Sequence, residues 1–153
     1  NRKVDYAAGD RGWYFDLPVA SERVLSSPEF YEGSNIMEVM STTPASGSES
    51  ETSEETCAAS PKSAKWFRTL INIETGDAPT VALMDVNGDG FFNMAGDSIA
   101  QNISASRSGG EGSDRQQKIA GELSNQRIMS GGAAEALGKL PSVLLRPNWR
   151  QLN

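Results

Sequence analysis

No apolar run in this chain lasts more than a few residues; Thr80–Met84 and Val143–Leu145 are typical. Runs that short suit strands, and none is long enough to span a bilayer. Turn residues recur about every ten positions between them, the rhythm of an all-β sheet protein. Gly12–Leu17 is aromatic and β-favouring, and Pro18 ends it. Arg23–Ser26 and Asn35–Thr42 read as further strands, with Glu32-Gly33-Ser34 turning the chain before the second. Trp66, Phe67, Leu70, Ile71 and Ile73 mark Lys65–Glu74 as a half-buried strand, and Thr75-Gly76-Asp77 turns it. Pro79–Met84 begins the next strand and feeds into Asp85. Ser104–Ser113 is Ser/Gly-rich and reads as a loop. Arg115–Met129 is expected to be a short helix, with Ile119 and Leu123 one turn apart, although Gly121, Ser124 and Asn125 are poor helix formers. Ala133–Gly138 reads as a helical turn and Pro141–Arg146 as a strand. The expected fold is mainly β, with antiparallel sheets, long loops and little helix. Residues 1–153 form a single β-rich domain or a C-terminal fragment of something larger. Asn1 follows neither an initiator Met nor an apolar leader and is expected to be a cut end. Trp13, Tyr14, Trp66 and Trp149 read as core.

Thr43–Ser63 interrupts this rhythm. It is Ser-, Thr- and Ala-rich, with Glu49, Glu51, Glu54 and Glu55 and no basic residue before Lys62. Such a segment buries too little apolar surface to offset its ordering entropy, so it is expected to be a solvated insertion. The whole chain carries a net charge of −6, with a pI near 4.7 and a mean hydropathy of −0.45. An acidic surface repels phosphate backbones and argues against nucleic acid as a partner; the hydropathy argues against membrane insertion. There is one cysteine, Cys57, and no histidine. A Cys/His zinc site, a Ser-His-Asp triad and a Cys-His pair are therefore excluded within this chain. Acid–base chemistry would fall to carboxylates or lysine, so the expectation is a protein that is not an enzyme. Cys57 is either half of a disulfide with a partner upstream of Asn1 or a free thiol.

The segment 85–97 is Asp-Val-Asn-Gly-Asp-Gly-Phe-Phe-Asn-Met-Ala-Gly-Asp. Asp85, Asn87, Asp89 and Asn93 stand at loop positions one, three, five and nine, and Gly90 at position six. A hard cation wants six to eight oxygens at short range, so the backbone must coil round it with alternate side chains inward. Position seven, Phe91, offers its carbonyl, and the sharp turn at position six asks for a positive φ that glycine adopts cheaply. These residues predict a Ca2+ loop with micromolar to millimolar affinity. An EF-hand closes with a bidentate Glu at position twelve; here that place holds Gly96, and Asp97 follows it. Asp97 is the sixth candidate ligand, reaching the ion only where the loop bulges. The alternative is an Asp/Asn/Gly-rich turn without metal.

Gly12-Trp13-Tyr14-Phe15-Asp16-Leu17 followed by Glu22-Arg23-Val24 resembles the "GWY-DL … GERV" strand pair of the PilY/PilC family, the type IV pilus tip and biogenesis proteins. The Asp85–Asn93 loop is similar to that family's calcium loop, and Trp149-Arg150-Gln151-Leu152 resembles the end of its C-terminal domain. The resemblance implies the last blades of a modified β-propeller, or a reduced version of it. It implies a secreted, cell-surface protein at the pilus tip, active in pilus biogenesis, twitching motility and adhesion. Pilin or minor pilin subunits and the missing N-terminal part of the same protein are the implied partners. The ligand role passes by position to Asp85, Asn87, Asp89, Phe91 and Asn93, and less directly to Asp97, since the family pattern closes earlier. The 43–63 insertion lies where relatives carry a shorter loop with a cysteine, which the resemblance matches to Cys57.

Three other readings remain open to the sequence, one of them a purely structural role in which the ion acts as a staple. Dockerins, which attach enzymes to scaffolds, carry similar loops, but in pairs and each followed by a helix; one copy stands here, and Ser98–Ile103 has little amphipathic character. A carboxylate-based glycosidase fragment needs two suitably placed acids, which twenty acidic residues supply without indicating a site.

Overall fold

Ile36, Val39 and Met40 refuse a two-residue alternation, and the sheet they enter explains why. The computed structural model describes residues 4–45, 64–93, 96–97, 105–112, 115–120, 124–129 and 134–140. Its strands are β1 (Glu29–Phe30), β2 (Ile36–Thr43), β3 (Lys65–Asn72), β4 (Met84–Asp85), β5 (Ser106–Glu111), β6 (Gln116–Ala120), β7 (Ser124–Met129) and β8 (Ala134–Gly138). They form two four-stranded antiparallel sheets, ordered β1-β2-β3-β5 and β4-β8-β7-β6. Among the described residues the only helical turns are the 3-10 turns Tyr6–Ala8 and Tyr31–Gly33. The mainly β, antiparallel expectation therefore holds.

The sheets pack face to face. Ile36 and Leu70 from the first, with Tyr31 of the turn before β2, meet Met84 and Leu137 from the second, with Leu83 just before β4, and Met40 and Trp66 meet Met129. Between these apolar clusters lies a buried ion network. Arg68 Nε donates to Glu38 Oε1 at 3.0 Å, its Nη1 touches Glu135, and Gln116 bonds both Arg68 and Glu38. Arg127 stands 3.7 Å from the other Glu38 oxygen. Burial holds the Arg68 guanidinium below its ordinary pKa, and the Glu38 carboxylate opposes that shift. Two cations and two anions balance, so neither sheet carries an uncompensated charge into the interface.

The outer face of the first sheet is covered as well. Val39, Phe67, Thr69 and Ile71 are buried there, and the N-terminal segment reaches this side of the sheet. The Trp13 indole donates to the Ile73 carbonyl at 2.8 Å. Glu22 is buried, accepting from Arg107 Nη2 at 2.7 Å and from the Ser41 hydroxyl. Arg107 in turn lies over the Phe67 ring at 4.3 Å. Strands buried on both faces read as continuous apolar runs. That accounts for the broken alternation of β2 and for β3, expected half-buried, being buried from Trp66 to Ile71.

Several elements differ from the sequence reading. Ser104–Ser113, expected as a loop, contains β5; Gly109 and Gly110 serve it because Phe67 and Trp66 occupy the space a Cβ would take. Arg115–Met129 is the β6–β7 hairpin, not a helix, with Arg127 and Met129 turned toward the first sheet. Ala133–Gly138 contains β8. Gly12–Leu17 forms no strand; Trp13 and Phe15 stack instead, and Tyr14 is 87 % exposed, not core. Arg23–Ser26 contributes a single bridge, Arg23 to Thr42, and Pro79–Met84 becomes strand only at Met84. Thr43 pairs with Lys65, so β2 and β3 are joined through residues 44–64, most of which lie outside the described residues. Pro141–Arg146, Trp149 and Cys57 lie outside the described residues.

Candidate metal centre

The candidate loop begins where β4 ends. Pairing of Met84 and Asp85 with Leu137 and Ala136 fixes its start in the second sheet, whereas β5, the next strand, belongs to the first. The loop is thus part of a crossover between sheets. Val86, its second residue, packs against the inter-sheet core.

From Asp85 onward, side-chain oxygens wind the backbone. Asp85 accepts from the Gly88 amide at 2.8 Å through Oδ1 and from the Gly90 amide at 3.0 Å through Oδ2. Asn87 Oδ1 accepts from the Asp89 amide at 2.9 Å, and Asp89 Oδ1 from the Phe91 amide at 2.8 Å. Asn93 Oδ1 accepts from Gly96 at 2.7 Å. The Asn87 and Asp89 bonds are successive Asx turns, and the Asp85 and Asn93 bonds reach further along the chain; together they coil it without secondary structure. Gly88 and Gly90 take φ values of +74° and +82°, the left-handed region the coil requires.

Asp97 behaves differently from the other five candidates. It is 2 % exposed. Its Oδ1 accepts from Val86 at 3.0 Å and Asn87 at 3.4 Å, and its Oδ2 from Asn93 at 2.8 Å. Gly96, the twelfth position, is tightly flanked: a Cβ there would meet Asn93 Oδ1 at 3.0 Å and Asn87 Nδ2 at 3.1 Å, so both side chains would have to give way.

The structure brings Asp85, Asn87 and Asp89 onto one coil, with Asn87 Nδ2 donating to Asp89 Oδ2 at 3.0 Å, and it brings Asn93 beside them through Gly96. Among the described residues no three Cys, Asp or Glu side chains gather at one point. The donor set is mixed: the Asp85 and Asp89 carboxylates, the Asn87 and Asn93 amides and the Phe91 carbonyl. All are hard oxygen donors suited to calcium, and a carboxylate oxygen accepting one amide keeps a free lone pair. The residues fit the ion in chemistry. Phe91 is 73 % exposed, and the loop faces solvent from Asn87 to Asn93. What sequence reasoning missed was the backbone role of Asp97; its only signal was an acid one place beyond the closing position. Comparison with protein-family models, curated proteins and solved structures found no match for this chain.

Proposed function

We propose that the 85–97 loop binds calcium, and that this chain is the calcium-binding part of a type IV pilus tip or assembly protein acting by binding, not catalysis. The observation that carries the calcium reading is the Asp85 carboxylate bonded to both the Gly88 and Gly90 amides, which winds the loop about its first acidic residue. Asp85, Asn87, Asp89, Asn93 and the Phe91 carbonyl would hold the ion. The ion would supply positive charge that draws these oxygens together and ties the crossover between the sheets. The pilus reading rests on the three stretches that resemble the PilY/PilC family. Two facing four-stranded antiparallel sheets support placing the chain among the last blades of a modified propeller, whose blades are built that way.

Calorimetric titration with calcium tests the first part. Saturable binding is expected in the parent and not in Asp85→Ala with Asp89→Ala; a well-folded parent that releases or absorbs no heat would overturn it. Capture of purified pilin or minor pilin subunits by the calcium-loaded chain tests the second. Absence of capture would remove the pilus role and leave calcium binding intact; capture that survives a chelator would keep the pilus role and separate it from the ion.

A further inference from the structure

We infer that Asp97 is the positioning residue of the calcium loop, closing its two ends on each other through backbone amides and not binding the ion itself. The inference rests on the calcium reading above. Val86 and Asn87 open the loop, Asn93 ends the ligand run, and one buried carboxylate accepts from the amides of all three. The Asp97 amide returns a bond to the Asn93 carbonyl at 3.0 Å. Both Asp97 oxygens are thus turned onto backbone, whereas Asn87 and Asp89 are exposed and Asp85 is half-buried. Val86 packs on the inter-sheet core, so the closure also anchors the ligand run to the body of the protein. Supporting groups of this kind hold ligands in place before the ion arrives, and their loss lowers metal affinity about 10- to 100-fold.

The test is a titration of the full chain with terbium, whose luminescence lifetime reports the waters bound to the ion, beside hydrogen exchange of the ion-free protein. Asp97→Asn and Asp97→Glu are compared with the parent. A positioning role predicts about 10- to 100-fold weaker binding in both variants with the number of bound waters unchanged. It also predicts faster exchange at the Val86 and Asn93 amides with no ion present. A ligand role predicts an added water in Asp97→Asn and retained affinity in Asp97→Glu, since glutamate is a good bidentate donor. Either result, or unchanged exchange at those amides, overturns the inference while leaving calcium binding in place. A parent that binds no terbium or calcium overturns the calcium reading, and this role falls with it. Asp97→Glu keeps the charge and supplies the comparison if Asp97→Asn does not fold.

Discussion

Ser21 holds φ +63°, a region that costs an L side chain about 1–2 kcal/mol. The next residue is the buried Glu22. Ser21→Gly is expected to stabilise the chain by about 0.5–1 kcal/mol, the relief of strain less the extra freedom of glycine when unfolded, measured by urea denaturation. Gly76 is the converse. Its φ is +72°, and a Cβ would lie 2.5 Å from the Trp13 ring. Gly76→Ala should cost about 2–5 kcal/mol from strain and overpacking together, and a smaller loss in the same measurement would show that Trp13 moves aside. The Thr75-Gly76-Asp77 turn was legible from its residue types; that Trp13 packs on Gly76 was not, because the two are far apart in the chain.

Among the elements, β5 shows how a strand escapes notice. Ser106–Glu111 is Ser-Arg-Ser-Gly-Gly-Glu, with no apolar side chain and two residues that disfavour strands. Its place comes from β3, whose Phe67 and Trp66 rings fill the faces that Gly109 and Gly110 leave bare. Gly109→Ala should therefore cost about 1–3 kcal/mol, since its Cβ would meet Phe67 at 2.6 Å and the Trp66 carbonyl at 2.9 Å. Gly110→Ala, with its closest contacts at 3.0–3.1 Å, should cost less. Equal losses in urea melts would count against this account. The β6–β7 hairpin reads as a helix in the sequence because Ile119 and Leu123 are spaced like one. Its inward residues, Arg127 and Met129, reveal themselves only against the opposing sheet.

For the whole molecule, the buried network and the crossover loop both join the two sheets. Arg68→Met leaves Glu38 and Glu135 short of a cation and should cost about 3–5 kcal/mol. Adding Glu135→Leu restores the balance, with Glu38 still facing Arg127, and should recover most of that loss in thermal melts; a double variant as unstable as the single would show that packing, not charge, governs the interface. Calcium that binds only the folded state should raise stability by about 2.7 kcal/mol at a hundredfold excess over its dissociation constant. Melts with calcium and with chelator, in the parent and in Asp85→Ala with Asp89→Ala, measure it directly.

The sequence by itself determined the β class, the strands β2 and β3 and the spacing of the loop's oxygens. Each of these depends on residues near one another in the chain, through strand propensity, turn chemistry and the reach of a side chain to its own backbone. The tertiary structure alone decided that Ser106–Glu111, Gln116–Ala120 and Ala134–Gly138 are strands, that Tyr14 faces water, and that Asp97 turns onto backbone. A polar or glycine-rich segment becomes a strand only when a neighbouring sheet supplies its hydrogen bonds and fills its faces. Likewise, the balance of Glu38, Glu135, Arg68 and Arg127 exists only where two sheets bring distant charges together.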